Sequence, residues 1–233
     1  METLMRAVLF DLDGTLVDPA GGITGGVAYA LAATGIPVPD DAELAAMVGP
    51  KLSDSLLART GTSPGQVPAV IAAYRDWYRD HGIAMGRPYP GIVELLTDLR
   101  RSGVPLGVAT QKPQTLAGTV LAAQGLDGFF GVVAGSSDDE TLLPGDAGYR
   151  NGKTEIIADA LARLGCAGAV MVGDRSHDVA GALANGIDCL GAGWGFGAPG
   201  ELAAAGAAAV VAAPGGLAGA LAPYLEGHRS ARP

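Results

Sequence analysis

Cysteine is scarce in this chain, with two among 233 residues. Cys166 and Cys189 lack the short spacing of metal-binding cysteine pairs, and each lies beside an apolar or small residue. We therefore predict that both are reduced thiols in the core, which is typical of a cytoplasmic protein.

Positive charge is also in deficit, because the chain has 15 Lys and Arg residues but 24 Asp and Glu residues, for a net charge of −9. A protein that binds nucleic acid through its phosphates needs the opposite sign, so we exclude that class of partner. A small anionic substrate stays compatible with this charge, since a bound cation can reverse the local field.

Long apolar runs are absent as well. The longest weakly polar run, 202–213, is mostly alanine and ends at Pro214, short of the roughly 18 apolar residues that a membrane span needs. Residues 1–5 contain no basic region followed by an apolar run, so they do not resemble a signal peptide. We expect a soluble, cytoplasmic protein with no membrane partner.

The strongest signal that is present is a short apolar strand, 7–10, followed directly by Asp11, Asp13 and a turn at Gly14. Its Val, Leu and Phe residues suit the middle of a parallel sheet. Ligands of open α/β sheets bind just beyond the carboxyl ends of such strands. We therefore expect the chemistry to lie at Asp11 and Asp13.

The next stretch, 18–88, has no strong strand signal, and we interpret it as an all-helical domain inserted into the sheet. Its clearest helix is 64–81, where apolar and aromatic residues recur at the spacing of one buried face. The shorter helical candidates are 23–34, 41–48 and 53–60. We predict a helical lid over the sheet, with hinges at its two crossings.

From residue 90 onward helices and strands alternate, which predicts a parallel sheet covered by helices on both faces. The expected strands are 105–109, 130–134, 169–172, 188–191 and 208–212. The expected helices are 92–102, 113–124, 154–164, 179–185, 200–205 and a last one before a tail that follows residue 226. The chain then divides into an α/β core of 1–17 and 89–233 and a helical domain of 18–88.

Further polar side chains follow other predicted strands or begin the next helix. Because the carboxyl ends of parallel strands meet at one edge of a sheet, we expect these groups to lie together: Asp11, Asp13, Thr110, Lys153, Asp174 and Asp178. Clustered carboxylates repel one another strongly unless a hard cation holds some of them. Carboxylate oxygens and waters are ligands that suit Mg²⁺, so we infer a magnesium site.

Such a site can divide its tasks among these residues. One carboxylate can be both a metal ligand and a nucleophile that attacks phosphorus. A neighbour two residues on can protonate the leaving oxygen and later deprotonate water. Lys153 and Thr110 can stabilise the charge of the transferring phosphoryl group.

Four short segments resemble, in order and spacing, the four motifs of the haloacid dehalogenase superfamily. They are Asp11-Leu-Asp13-Gly14-Thr15, Thr110, Lys153, and Gly173-Asp174 through Asp178. The resemblance spans nearly the whole chain. It implies a Rossmann-like parallel-sheet core with an all-helical cap of the C1 type inserted after the first strand.

The resemblance also implies a role for each motif residue. Asp11 is the expected nucleophile, and Asp13 is the expected general acid and base. Asp174 is expected to bind Mg²⁺ together with Asp11 and the backbone carbonyl of Asp13. Asp178 is expected either to lie near the metal or to hold Lys153.

Asp13 favours phosphoryl transfer, since dehalogenase members lack an acid at that position. The segments around Lys51 and Gln111, and the segment 194–197, resemble the phosphoglycolate phosphatase and 5′-nucleotidase branch. This implies a small anionic phosphate ester as substrate, with Thr15, Lys51 and Gln111 as candidate substrate-binding residues. The expected assembly is a monomer or weak homodimer.

Several alternatives remain open at this stage. Lys112 is the rival to Lys153 as the phosphate-binding lysine, although only Lys153 leads into a helix in the family's manner. A phosphomutase shares the same motifs, and a receiver-like phosphate-accepting domain is a non-enzymatic alternative. A P-loop kinase or ATPase is disfavoured, because Ala147 replaces the earlier glycine that this loop requires.

Four side chains near these motifs receive structural roles. We expect His177 to be a solvated loop residue at the rim of the site. We expect Tyr74, Trp77 and Tyr78 to form the core of the cap.

Overall fold

The computed structural model describes residues 6–139, 152–166 and 168–225. The predicted tail after residue 226 lies outside these residues. So does most of the glycine-rich segment that precedes Lys153.

A parallel sheet forms the centre of the described structure. The strands are β1 (Arg6–Phe10), β2 (Val17–Asp18), β3 (Arg87–Pro88), β4 (Leu106–Pro113), β5 (Val132–Ser136), β6 (Gly168–Gly173), β7 (Asp188–Ala192) and β8 (Ala209–Val211). Six of them form one sheet in the order β5-β4-β1-β6-β7-β8, and every neighbouring pair is parallel. The predicted α/β class is therefore confirmed.

Helices connect these strands and cover the sheet. They are α1 (Gly22–Ala33), α2 (Asp41–Ala46), α3 (Leu52–Arg59), α4 (Val67–Trp77), α5 (Ile83–Met85), α6 (Ile92–Arg101), α7 (Gln114–Ala123), α8 (Lys153–Leu164), α9 (Ser176–Ala184), α10 (Glu201–Ala204) and α11 (Leu217–Leu225). Every predicted strand and helix of the core is present. The largest difference is β4, which runs on to Pro113 with a register shift after Ala109.

Strand β1 lies at the middle of the sheet, between β4 and β6. Its residues from Ala7 to Phe10 are fully buried, as their apolar side chains require. Phe10 is in register with Val108 on one side and Val172 on the other. The three strand ends therefore meet at one edge, and Asp11 follows directly on the central one.

Helices α1 to α5 lie between β2 and β3, and we call them the helical insert. Within it α1 packs against α4, and the buried aromatic Tyr74 belongs to this contact face. The antiparallel pairing of β2 with β3, with Val17 opposite Pro88, closes the base of the insert. The division of the chain into two domains, with hinges at the two crossings, stays a prediction.

The helix predicted at 64–81 begins at Val67 and runs on through α5, with a π-helical turn, Tyr78–Gly82, between α4 and α5. Glycine is needed at position 82, because a Cβ there would lie 2.3 Å from Cδ2 of Tyr78. The missing side chain makes room for the Tyr78 ring, a contact that helical periodicity does not reveal.

A charged contact joins the core to the helical insert. The Arg175 guanidinium donates hydrogen bonds to the carbonyl oxygens of Ala46 and Val48 in the insert. Its Nε lies 3.1 Å from Oε1 of Glu201, which also accepts the backbone N–H of Ser176 at 2.8 Å. Arg175 therefore contacts both Glu201 of the core and the backbone of the insert.

The described helices and the two cysteines can be compared with the predictions about membrane spans and buried thiols. Among the described helices, none is long and apolar enough to span a membrane. Cys166 and Cys189 are both free thiols, and Cys189 is buried as predicted. Cys166 is only partly buried, because it lies just after the end of α8 at the sheet margin.

Replacement of Gly82 by alanine should destabilise the insert. The added Cβ collides with the buried ring of Tyr78, and overpacking of this kind costs about 1–3 kcal/mol of unfolding free energy. Urea unfolding measures the change. Gly118→Ala is the matched control, since nothing lies within 4 Å of its added Cβ and alanine favours a helix by about 1 kcal/mol. Equal stability of the two variants would contradict the packing described here.

Replacement of Glu201 by glutamine should weaken the core–insert contact in a pH-dependent way. Burial alone would raise the pKa of Glu201, but hydrogen bonds from Ser176, Ala198 and Arg175 lower it to about 2. Because this pKa is lower in the folded protein than in the unfolded chain, the carboxylate stabilises the fold above about pH 4.5. This stabilisation is lost as the pH falls toward 2. We expect a loss of about 1 kcal/mol in Glu201→Gln at pH 7 that shrinks by pH 3, measured by urea unfolding. A difference that does not change with pH would contradict this assignment.

Candidate active site

Asp11 is held at the carboxyl end of β1. Its backbone N–H donates to the carbonyl of Val172 at 2.9 Å, which continues the β1–β6 ladder by one bond. Its side chain is buried, and Oδ1 accepts a hydrogen bond from Nζ of Lys153 at 2.7 Å. The same ammonium donates to the carbonyl of Ala109 at 2.7 Å. Lys153 therefore fixes Asp11 against the backbone of β4 at Ala109.

Asp178 holds Lys153 from the other side. Its Oδ1 lies 2.7 Å from Nζ of Lys153, and its Oδ2 accepts the backbone N–H of Arg175 at 3.0 Å. Through this second bond the side chain of Asp178, in the first turn of α9, accepts the N–H of the residue that precedes the helix. A Cβ on Gly173 would lie 2.4 Å from Cγ of Asp178, so this approach requires glycine. Of the two roles left open for Asp178, support of Lys153 is observed as a contact.

Asp174 is enclosed by backbone. A Cβ on Gly14 or on Gly195 would lie within 2.4 Å of its Oδ2. Oδ2 accepts the backbone N–H of Phe196 at 2.7 Å, and Oδ1 accepts the hydroxyl of Thr15 at 3.4 Å. Thr15 was a candidate substrate-binding residue, and its observed partner is this carboxylate.

The carboxylates at this edge have unequal proton affinities. Burial raises the pKa of Asp11 to about 6, with Lys153 opposing the rise and Asp178 adding to it. Burial, and then the charges of Asp11 and Asp178, raise the pKa of Asp174 well above its usual range. Burial acts in the same direction on Asp178, but Lys153 outweighs it and the net effect is a lowered pKa. Lys153 is thus shared by two acids, whereas the groups that lower the pKa of Asp174, the backbone N–H of Phe196 and the charge of Arg175, are outweighed.

The same residues fit a divalent cation. One oxygen each of Asp11, Asp174 and Asp178 lies within 4.8 Å of the others, and all three side chains are buried. Oxygen ligands, with one or two carboxylates and several waters, are the donor set that suits Mg²⁺. A cation here would also relieve the repulsion that raises the pKa of Asp174.

Asp13 has a separate lysine. Nζ of Lys112 lies 3.0 Å from Oδ2 of Asp13, and both side chains are buried. The backbone N–H of Lys112 donates to Oγ1 of Thr110 at 3.3 Å, which ties both residues to the end of β4. The two candidate lysines therefore do not compete for one place, because Lys153 contacts Asp11 and Lys112 contacts Asp13. Sequence reasoning weighed Lys112 only as a rival and missed this contact.

The remaining candidate residues lie nearby. Lys51 is buried at the start of α3, two residues after Gly49, whose added Cβ would touch Arg175 and His177. Gln111 is half-buried on β4, with Nε2 3.4 Å from where a Cβ of Gly152 would lie. The insert segment that carries Lys51 thus packs against the loop that follows β6.

His177 is not the solvated rim residue that was expected. Its side chain is 24% exposed, and burial lowers its pKa to about 4. It lies in the first turn of α9, beneath the segment at Gly49. The expectation was wrong because it took the residues after β6 to be an open loop, whereas α9 begins at Ser176 and the insert covers it.

Residues 8–192 of this chain match the haloacid dehalogenase-like hydrolase family. The tyrosine-protein kinase PtkA of Mycobacterium tuberculosis is 43% identical over 194 residues, which are 82% of this chain and 63% of that protein. This chain therefore spans less than two thirds of the length of that relative.

Other relatives match over most of their length. The 5′-nucleotidase of Pseudomonas aeruginosa is 39% identical over 84% of this chain and 86% of its own. A phosphoglycolate phosphatase of Cupriavidus necator is 34% identical over 88% of both chains.

Solved structures show the same fold. A predicted phosphatase from Clostridium acetobutylicum superposes with a TM-score of 0.85 at 36% identity, over 94% of this chain and 99% of that one. The PtkA structure superposes with a TM-score of 0.70 at 42% identity, over 84% and 87%. The resemblance expected from the four motifs is confirmed, and the chain belongs to the haloacid dehalogenase-like hydrolase family.

Proposed function

We propose that this protein is a Mg²⁺-dependent phosphatase that hydrolyses a small phosphomonoester through an aspartyl phosphate on Asp11. The observation that carries the proposal is the pairing of the two acids with different lysines, Asp11 with Lys153 and Asp13 with Lys112. Two carboxylates in two environments can perform two tasks. The names of the relatives, a 5′-nucleotidase and a phosphoglycolate phosphatase, support a small ester as the substrate.

The reaction has two displacements at phosphorus. In the first, Oδ of Asp11 forms a bond to phosphorus while the bond to the leaving oxygen breaks, and Asp13 gives that oxygen its proton. In the second, Asp13 takes a proton from water, the water oxygen attacks phosphorus, and the bond to Asp11 breaks. Inorganic phosphate leaves, and both carboxyl groups return to their starting states.

The other residues bind and orient. Lys153 and the hydroxyl of Thr110 stabilise the phosphoryl oxygens during transfer. Asp11, Asp174 and the backbone carbonyl of Asp13 would hold Mg²⁺, and Asp178 would support them through Lys153. When bound, the ion supplies positive charge that stabilises the phosphoryl oxygens. Thr15 orients Asp174, Lys51 faces either the organic part of the ester or its phosphate, and Gln111 tunes specificity for the ester.

The helical insert, taken as a domain of 18–88, acts as a lid on the core of 1–17 and 89–233. It carries Lys51, and its contact with Arg175 holds this segment next to the loop after β6. Closure of a lid excludes water and completes the site. The two free thiols agree with a cytoplasmic location.

A second candidate is phosphoryl transfer to an acceptor other than water. The observation that favours it is the 43% identity with proteins named tyrosine-protein kinase PtkA. A phosphomutase belongs to the same class, because its phospho-enzyme meets a sugar hydroxyl. A receiver-like domain is disfavoured by Asp13, since such a domain needs no acid for a leaving group. Phosphate released to water, measured against phosphate transferred to tyrosine peptides or sugar phosphates, separates these activities.

Replacement of Asp11 by asparagine should abolish turnover. An amide cannot form the aspartyl phosphate, so phosphate release from p-nitrophenyl phosphate with Mg²⁺ should fall on the order of 10³-fold or more. Asp98→Asn is the control, because this aspartate is 78% exposed on α6 and should keep full activity. Retained turnover in the Asp11 variant would sink the nucleophile assignment.

Mg²⁺ should stabilise the folded protein, since it binds carboxylates that repel one another without it. At a hundredfold excess over its Kd, the gain is about 2.7 kcal/mol, or a rise in Tm of roughly 5–10 °C. Thermal unfolding with Mg²⁺ and with EDTA measures this rise. Asp174→Asn should remove it, and Asp98→Asn should keep it. A rise that survives in Asp174→Asn would exclude this site as the place of binding.

A further inference from the structure

A buried chain of three polar side chains links the helical insert to Asp13. Nζ of Lys112 lies 3.0 Å from Oδ2 of Asp13 and donates to the hydroxyl oxygen of Tyr78 at 3.4 Å. The same ammonium lies 4.7 Å from the centre of the Tyr78 ring, a cation–π distance. Asp13 follows β1, Lys112 belongs to β4, and Tyr78 belongs to the insert. These contacts therefore link the core to the helical insert.

The insert is shaped locally to bring Tyr78 to this place. Tyr78 is the first residue of the π-helical turn, and such turns are frequent at functional sites because they re-aim side chains. Gly82 leaves room for its ring, and Tyr74 stacks against it with ring centres 5.4 Å apart. Tyr78 was expected to be cap core only, and it is buried, but its hydroxyl points at a charged group.

Two partners hold the buried ammonium of Lys112 in place. A buried ammonium is costly unless it is paired and hydrogen-bonded. Asp13 supplies the opposite charge, and Tyr78 supplies both an acceptor oxygen and a ring face. Burial, followed by the charge of Asp13, raises the pKa of Tyr78, so its hydroxyl stays neutral and can accept this bond.

The two oxygens of Asp13 are therefore not equivalent. Lys112 engages Oδ2, while Oδ1 is buried and has no hydrogen-bond partner among the described residues. That oxygen is the one left to serve the leaving group.

We propose that Tyr78 and Lys112 are positioning residues that orient Asp13 toward the leaving oxygen, so that seating of the lid sets the general acid. This proposal rests on the proposed phosphatase reaction, in which Asp13 passes its proton to the leaving oxygen as the ester bond breaks. Neither residue touches the reacting atoms. Both act through Asp13, and Tyr78 acts through Lys112.

The dependence of rate on the leaving group distinguishes this role from a structural one. An alkoxide leaving group needs a proton from Asp13, whereas p-nitrophenolate leaves readily without one. A misdirected general acid should therefore slow an alkyl phosphate and spare p-nitrophenyl phosphate. A general loss of folding or of phosphate binding would slow both esters alike.

The test measures kcat/KM of the full chain with Mg²⁺ on phosphoglycolate, an alkyl ester, and on p-nitrophenyl phosphate, because kcat/KM reports departure of the leaving group and not the later attack of water, which both esters share. Lys112→Met should lower kcat/KM for the alkyl ester by about 10–100-fold and for the aryl ester by less than about threefold. Tyr78→Phe keeps the ring and removes the hydroxyl, so it should show the same selectivity at about 3–10-fold. Asp13→Asn gives the full size of the effect.

Tyr29→Phe is the matched control, because Tyr29 is 50% exposed on the insert and should leave both rates unchanged. Equal losses on the two esters in both variants, or no loss in either, would overturn the proposal. Tyr78→Phe decides the matter if Lys112→Met does not fold. A wild-type protein that hydrolyses neither ester would instead overturn the phosphatase function, and this proposal with it.

Discussion

The ammonium of Lys153 lies between two buried carboxylates, 2.7 Å from an oxygen of Asp11 and 2.7 Å from an oxygen of Asp178. Burying ions costs several kcal/mol each unless such pairing offsets the loss of hydration, so the edge of the sheet depends on this contact. The fold provides this contact because Lys153 is the first residue of α8 and Asp11 directly follows Phe10, the last residue of β1. Asp174 is left with like charges around it, which is why the edge suits a cation.

A second lysine completes the separation of roles. Lys112 pairs with Asp13 and is itself contacted by Tyr78 of the insert. The partner of Asp11 therefore comes from the core, whereas the lysine that pairs with Asp13 is held by the insert. Arg175 forms an independent core–insert contact at the segment before Lys51. The site is thus assembled from both parts of the chain, although its nucleophile and acid are only two residues apart.

Much of this arrangement could be predicted from the sequence, and the reason is local. A buried strand followed by Asp11 and Asp13, and a glycine followed by Asp174, are patterns of neighbouring residues that fix their own geometry. The strand and helix periodicities then place Thr110 and Lys153 at the same edge. The contact of Tyr78 with Lys112 could not be predicted, because it depends on a π-helical turn and on packing between residues 34 apart in sequence. The contacts of Arg175 with the insert and the partial burial of His177 could not be predicted for the same reason, since both depend on how the insert packs against the core.

The measurement that tests the central claim most directly is the identification of the phosphorylated residue. Enzyme quenched during turnover with Mg²⁺ is treated with borohydride, which reduces an aspartyl phosphate to an alcohol, and its peptides are analysed by mass spectrometry. We expect this reduction at Asp11 alone. Reduction at another carboxylate, or no reduction at any carboxylate while phosphate is still released, would contradict the proposed aspartyl phosphate on Asp11.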